Sequence, residues 1–253
     1  MSLAFKKRPS LIAYLTCGDP DLNTTREIVL AAVDAGASVI ELGVPFSDPV
    51  ADGPIIQRAS QRALRKGVKL ADVIKLAKDI RRRTRAGIII FSYLNPIMRM
   101  GVPQFSAMSQ DAGVDGVLVT DLPVEEAGPY LQEMRRRELA TIFLAAPTST
   151  DARLKAIAKA CTGFLYAVSR TGVTGTRQDL AEDAKSLVKR LRQWTDLPIA
   201  VGFGISTDQQ FRAVGAFADA VVVGSAIVET VERNPGKEAK SVAEFVKKLV
   251  VSS

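Results

Sequence analysis

The sequence predicts a (β/α)8 barrel, and three observations carry that prediction. Eight short β-rich runs recur along 253 residues, helical patterns with start and stop signals alternate with them, and the ends of several runs gather glycine, proline and acidic residues. An open, doubly wound sheet is the alternative for the same alternation. With 47% hydrophobic residues the chain can bury a sizeable core, and the expectation is one barrel domain over residues 1–253.

The runs fall at residues 11–16, 38–43, 87–93, 114–121, 140–146, 163–169, 198–204 and 218–224. Between them, Thr24-x-x-Glu27 and Thr207-x-x-Gln210 have the form of capping boxes. The phrase Asp-Ala-Gly, ending at Gly36 and again at Gly113, marks helix ends before the next run. The intervals after the second and sixth runs are longer than the others. The segments that follow them, residues 44–53 and 170–179, are therefore expected as extended loops on the C-terminal face, where barrels of this type keep their active sites.

Glu41 is the first candidate for chemistry. It stands inside Val39-Ile-Glu-Leu-Gly43, where apolar neighbours imply burial, and a lone ionised carboxylate there is costly. Asp48 and Asp52 follow in the turn-rich segment Val44-Pro-Phe-Ser-Asp-Pro-Val-Ala-Asp-Gly53. Acids with different solvation facing one site have different pKa values, which is an acid/base pattern. The expectation is a raised pKa for Glu41 and an ionised Asp52.

The far end of the chain supplies an expected anion site. Gly202-Phe-Gly204 closes the seventh run, Gly224-Ser225 closes the eighth, and Ser225 opens a short helix through Ala226-Ile-Val-Glu-Thr230. Glycine lets the backbone approach a ligand, and free N–H groups at a helix N-terminus attract phosphate. Tight turns alone also explain such glycines.

Absences narrow the chemistry. The chain has no histidine, which removes a His-ligated zinc, a Ser-His triad and a histidine base; no metal site is expected. None of the eight runs contains lysine, so a Schiff-base nucleophile on a barrel strand is not expected either. Carboxyl acid/base catalysis remains, with Tyr166 or Tyr14 as assistants; either tyrosine also reads as a core residue with a polar tip. Cys17 and Cys161 have neither metal-site spacing nor disulfide density, and are expected as buried thiols.

The net charge of +7 raises nucleic acid as a partner. However, Arg81-Arg82-Arg83 and Arg135-Arg136-Arg137 lie at expected helix C-termini, where they complement the helix dipole, and no aromatic residues interleave with them. No nucleic acid is expected. No apolar run approaches the roughly 18 residues of a membrane span, and the first residues lack a signal-like apolar stretch. The expectation is a soluble, intracellular protein without a membrane partner.

The segment Glu41-Leu-Gly-Val-Pro-Phe-Ser-Asp-Pro-Val-Ala-Asp-Gly-Pro-Ile-Ile-Gln57 resembles the tryptophan synthase alpha subunit family. So do Thr16-Cys-Gly-Asp-Pro20, Asp121-Leu-Pro-Val-Glu-Glu126, Ser169-Arg-Thr-Gly-Val-Thr-Gly175, Gly202-Phe-Gly-Ile-Ser206 and Gly224-Ser-Ala-Ile-Val228. The resemblance runs across nearly the whole chain. It implies a (β/α)8 barrel and retro-aldol cleavage of indole-3-glycerol phosphate to indole and glyceraldehyde 3-phosphate. By resemblance, Glu41 is the proton donor and acceptor, Asp52 the partner of the indole N–H, and Tyr166 an assistant. Tyr14, Leu118, Leu144 and Phe203 would line the indole pocket, and Gly175, Gly202, Gly204, Gly224 and Ser225 would hold phosphate. Thr174 lies on a mobile loop with Gly172 and Gly175 as hinges, and would meet the loop acid on closure.

Tyr14 stands where phenylalanine is commoner in the family, and Thr120 where a small apolar residue is also found. The short N-terminal segment puts in doubt an extra helix closing the barrel bottom. The resemblance further implies a beta subunit as partner in an alpha2beta2 complex, facing Asp48, Pro49 and Asn95. The pyridoxal phosphate cofactor would lie in that partner, and none in this chain. The implied compartment is the cytoplasm, or the plastid stroma in a plant. A stand-alone indole-3-glycerol phosphate lyase and a non-catalytic regulatory subunit are the readings left open; an epimerase or the synthase that makes this substrate would need histidines or a strand lysine that are missing.

Overall fold

The computed structural model describes residue 5 and residues 8–168, 177–202 and 204–251. Every predicted strand appears, the first two starting one residue earlier and the others somewhat trimmed: β1 Ser10–Thr16, β2 Ala37–Gly43, β3 Gly87–Ser92, β4 Gly116–Val119, β7 Leu165–Val168, β8 Ile199–Gly202 and β9 Ala220–Val223. The fifth predicted strand is divided at Phe143 into β5 Ala140–Ile142 and β6 Leu144–Ala145. All ladders are parallel, in the order β5-β4-β3-β2-β1-β9-β8-β7-β6. Since β5 pairs with β4 while β6 pairs with β7, one interrupted strand serves both edges and the sheet curls into a barrel. The open doubly wound alternative is thereby excluded.

The helices cover the outside: α1 Leu22–Asp34, α2 Pro54–Arg65, α3 Leu70–Arg81, α4 Leu94–Met100, α5 Val102–Asp111, α6 Gly128–Arg136, α7 Asp151–Ala160, α8 Arg177–Leu191, α9 Asp208–Gly215, α10 Ser225–Arg233 and α11 Glu238–Val251. The long interval after β2 holds an additional helix as well as a loop, since residues 44–53 lead into α2 before α3 returns to β3. In the long interval after β7, residues 177–179 already belong to α8, and residues 170–176 lie outside the described residues. The cap of α1 also differs from expectation. Asp21, not Thr24, is the N-cap, its carboxylate accepting from the Thr24 N–H at 2.8 Å; an aspartate three residues ahead was the stronger acceptor. Thr207 and Gln210 form the expected capping box on α9. Gly36 and Gly113 take positive φ just beyond α1 and α5.

Strand alternation sorts the core into two shells. Leu11, Ala13, Leu15, Ile40, Leu42, Ile88 and Ile90 face the helices. Ile12, Val39, Ile89, Leu118, Ile142, Phe164, Ala200 and Val222 fill the barrel. Phe5 packs edge-on against Phe164 at 5.9 Å, so an aromatic side chain of the N-terminal segment joins this inner cluster. Cys17 and Cys161 are buried and free, as expected.

The arginine run that ends α3 has a second use besides the dipole. Arg81 donates to the carbonyls of Gly113 and Ala86 and pairs with Asp115 at 2.5 Å, while Asp115 also accepts from the Ile88 N–H. The same clasp recurs. Arg192 donates to the Leu197 carbonyl and pairs with Asp219, which accepts from the Ile199 N–H. Even the small turn between is repeated, Thr84 accepting from Ala86 N–H and Thr195 from Leu197 N–H. Both clasps lie at strand N-termini, the end of a barrel concerned with stability.

Candidate active site

Glu41 lies on β2 in register with Tyr14 of β1 and Ile89 of β3, and its alternation places it inside the barrel. It is 0% exposed, and neither carboxyl oxygen has a hydrogen-bond partner. Burial alone pushes its pKa up to about 8, so at neutral pH it is mostly a neutral acid with a proton to give. Such a group in an otherwise apolar centre costs stability, and a buried carboxyl without a partner points to chemistry rather than packing.

Asp52 ends the loop after β2, immediately before Gly53, the N-cap of α2. Its Oδ2 accepts from the Tyr93 hydroxyl at 3.1 Å. That hydroxyl in turn accepts from the Ala51 N–H at 3.0 Å, and the Tyr93 ring stacks on Phe46 with centroids 4.9 Å apart. Burial pushes the Asp52 pKa up to about 6, against the lowering effect of the Tyr93 bond. Asp52 is thus still largely ionised at pH 7, but it is not the ordinary solvated aspartate expected from its loop position. The two acids differ in the expected order, Glu41 above Asp52.

Tyr93 is the residue the sequence reading overlooked. The available signal was its position at the C-terminal end of a strand, the edge from which barrel enzymes draw functional side chains.

Tyr14 and Tyr166 are both embedded near Glu41. Burial is the main cause raising each phenol well above its ordinary value; the Asp52 and Glu41 charges add to the rise at Tyr14, and Glu41 to that at Tyr166. Gly202 is required beside Tyr166, because a Cβ there would lie 2.6 Å from its hydroxyl oxygen. Leu118 is buried in the inner cluster, with Leu144 half-buried against it; Phe91, edge-on to Tyr14 at 5.1 Å, extends the same wall. Phe203, Thr174, Gly172 and Gly175 lie outside the described residues.

Gly204 follows β8 with a φ of 55°, and Gly224 is the N-cap of α10, so Ser225 opens that helix as expected. The Ile227 and Val228 N–H groups bond the Gly224 carbonyl, while those of Ser225 and Ala226, ahead of the first helical bond, face outward from the helix start where an anion is favoured. Asp48 and Asn95 are exposed on the rim and Pro49 is half-buried. Beside them Val50 is 86% and Met98 59% exposed, unusual for large apolar side chains.

A cavity of about 780 Å³ opens next to this region, lined by Thr120, Asp121, Leu144, Ser149 and Arg153 among others. It meets the apolar wall at Leu144 but includes neither Glu41 nor Asp52, so volume alone does not find the acids. Among the described residues no group of three His, Cys, Asp or Glu side chains is arranged to hold a metal, and no helix is long and apolar enough to cross a membrane.

Closed parallel barrel, central unpartnered carboxyl and glycine-built strand ends together define a (β/α)8-barrel enzyme. The family model for the tryptophan synthase alpha chain matches residues 1–251. A tryptophan synthase alpha chain from Solibacter usitatus is 50% identical over 229 residues, covering 90% of this chain and 86% of that one. Its counterpart from Neisseria meningitidis serogroup B is 46% identical over 241 residues, 95% and 92% of the two chains. Among solved structures, a mutant tryptophan synthase alpha-subunit from Pyrococcus furiosus superposes with a TM-score of 0.89 at 40% identity, covering 97% of this chain and 99% of that chain. Mycobacterium tuberculosis tryptophan synthase gives 0.89 at 36% identity, covering 96% and 92%. The chain belongs to the tryptophan synthase alpha chain family. It is a carbon–carbon lyase of tryptophan biosynthesis that cleaves indole-3-glycerol phosphate to indole and glyceraldehyde 3-phosphate.

Proposed function

We propose that Glu41 and Asp52 divide the proton chemistry of this cleavage. Glu41, neutral at pH 7, gives its proton to indole C3, which becomes tetrahedral while positive charge develops at the ring nitrogen. Ionised Asp52 accepts a hydrogen bond from the ring N–H and stabilises that charge. The resulting Glu41 carboxylate then takes the proton of the side-chain hydroxyl. A C=O bond forms there, the bond to C3 breaks, and its electron pair restores the indole. The buried, unpartnered Glu41 carboxyl carries this reading, because a raised pKa suits one group that must both give and receive a proton near neutrality.

Tyr166 assists by packing beside Glu41. Tyr14, Leu118, Leu144 and Phe203 form the indole wall, while Gly175, Gly202, Gly204, Gly224 and Ser225 hold the phosphate. Thr174 meets Asp52 when its loop closes and excludes water. One barrel domain over residues 1–253 performs the reaction in the cytoplasm, or in the plastid stroma if the source is a plant.

The partner in this reading is a tryptophan synthase beta subunit in an alpha2beta2 complex, with pyridoxal phosphate in that subunit. A Pyrococcus furiosus relative, 39% identical, is described as part of a tryptophan synthase complex. Val50 and Met98, exposed beside Asp48, Pro49 and Asn95, supply an apolar patch suited to docking. The test is glyceraldehyde 3-phosphate release by the intact chain and by Glu41→Gln, each with and without a beta subunit. Cleavage that requires Glu41 and rises with the partner supports the reading. Full activity alone identifies an independent lyase, and a Glu41→Gln variant as active as the parent overturns the catalytic assignment.

A further inference from the structure

Helices α2 and α10 both begin at the site, one just after Asp52 and the other at Ser225. They lie side by side. Ile55, Ile56 and Ala59 of α2 gather with Val228 of α10 around Tyr14, and beside this cluster, at Arg58 and Arg62 of α2 and Glu232 of α10, the contact becomes ionic. Arg58 makes a two-pronged bond to Glu232, Nε to Oε1 at 3.0 Å and Nη2 to Oε2 at 2.7 Å. Arg62 reaches the same Glu232 through Nη1 at 2.7 Å. Its Nε and Nη2 grip both oxygens of Asp19, at 2.8 and 2.7 Å.

Asp19 is buried, in the connection between β1 and α1. Arg58, and after it Arg62, hold the Glu232 carboxyl down at about 2, so Glu232 is charged across the physiological range. Single exposed ion pairs contribute little. Here two planar guanidinium forks share one carboxylate and end on a buried acid, which fixes direction as well as distance.

We infer that Arg62 and Glu232 are positioning residues that lock α2 against α10 and so set where Asp52 stands relative to the anion-binding end of α10. The inference rests on the roles proposed above for Asp52 and Ser225. A substrate held by its phosphate at one helix and by its indole N–H at the other registers any slip between them. A displacement on the order of 1 Å costs about a hundredfold in rate, and a partial release of the lock costs less, about tenfold.

The test compares Glu232→Gln and Arg62→Met with the parent chain in kcat and KM for indole-3-glycerol phosphate cleavage, with the beta subunit present. The Kd of inorganic phosphate is measured in parallel by phosphorus NMR. The expected result is a kcat reduced by about tenfold in each variant, a phosphate Kd within about twofold of the parent, and partial recovery of kcat in Arg62→Lys, which keeps the charge without the fork. Unchanged kcat in both variants overturns the inference, as does a proportional loss of kcat and phosphate affinity, which would mark general loosening. Failure of the underlying roles reads differently: Asp52→Asn would then cleave at the parental rate, or the parent itself would show no phosphate binding.

Discussion

Tyr14 and Glu41 are register partners across β1 and β2, and Gly43, two residues beyond Glu41, leaves the space that the Tyr14 phenol occupies. A Cβ on Gly43 would lie 2.3 Å from the hydroxyl oxygen and 2.6 Å from the ring carbon that bears it. Gly43→Ala should therefore push Tyr14 toward the substrate, destabilise the fold by roughly 1–3 kcal/mol and depress kcat/KM. Adding Tyr14→Phe should restore only part of the loss, because the ring carbons still collide. Denaturant unfolding and steady-state kinetics on the single and double variants check this.

Glu41 makes stability depend on pH. Its folded pKa of about 8 lies above the ordinary carboxyl value of 4.5, so between these limits the folded chain holds a proton that the unfolded chain has released. Stability consequently falls as pH rises through that window, by up to about 5 kcal/mol, and levels off above it. Glu41→Gln removes the dependence. Its advantage over the parent in unfolding free energy should grow from pH 5 to pH 8, and an advantage that stays constant with pH would contradict the assignment.

Tyr93→Phe deletes the bond that holds the Asp52 pKa down and leaves the Ala51 N–H without its acceptor. The Asp52 carboxyl should then titrate above its present value of about 6, as read by carbon NMR of labelled aspartate. The acid limb of the kcat/KM profile should move to higher pH with it. A limb that stays in place would separate that limb from Asp52.

The clasps at the barrel foot make a prediction about stability alone. Asp115→Ala and Asp219→Ala each take the side-chain acceptor from a strand N–H and the carboxylate partner from an arginine, which keeps only its carbonyl bonds. Each should cost about 2–4 kcal/mol in unfolding free energy while kcat of the folded enzyme is unchanged. A substantial loss of kcat in either variant would show that the foot communicates with the site.

The parts of the molecule that were legible in the sequence are those set by local pattern. The β-rich run around Glu41 announced both a strand and a buried acid, because alternation and apolar neighbours are contiguous in the chain. Gly36, Gly113 and Thr207 announced helix boundaries for the same reason. Asp52 was visible as an acid that stays ionised, but not in the burial that raises its pKa or the hydroxyl that bonds it, since Tyr93 meets it only when β3 comes to lie beside β2. Asp21 displaced Thr24 as a cap because two acceptors competed within one turn. The Arg62 network and the paired clasps were invisible for a simpler reason: residues such as Arg62 and Glu232 stand 170 positions apart.

The duplicated clasps divide the molecule in a way its active end does not. One joins the third and fourth barrel strands and the other the seventh and eighth, so the foot repeats itself after half a turn. The mouth does not repeat. Glu41 and Asp52 come from the first half, while Gly202, Gly224 and Ser225 come from the second. On the roles assigned above, one half moves protons and the other grips the phosphate; neither owns a complete site, and only the closed ring brings the two halves of the task within reach of one small molecule.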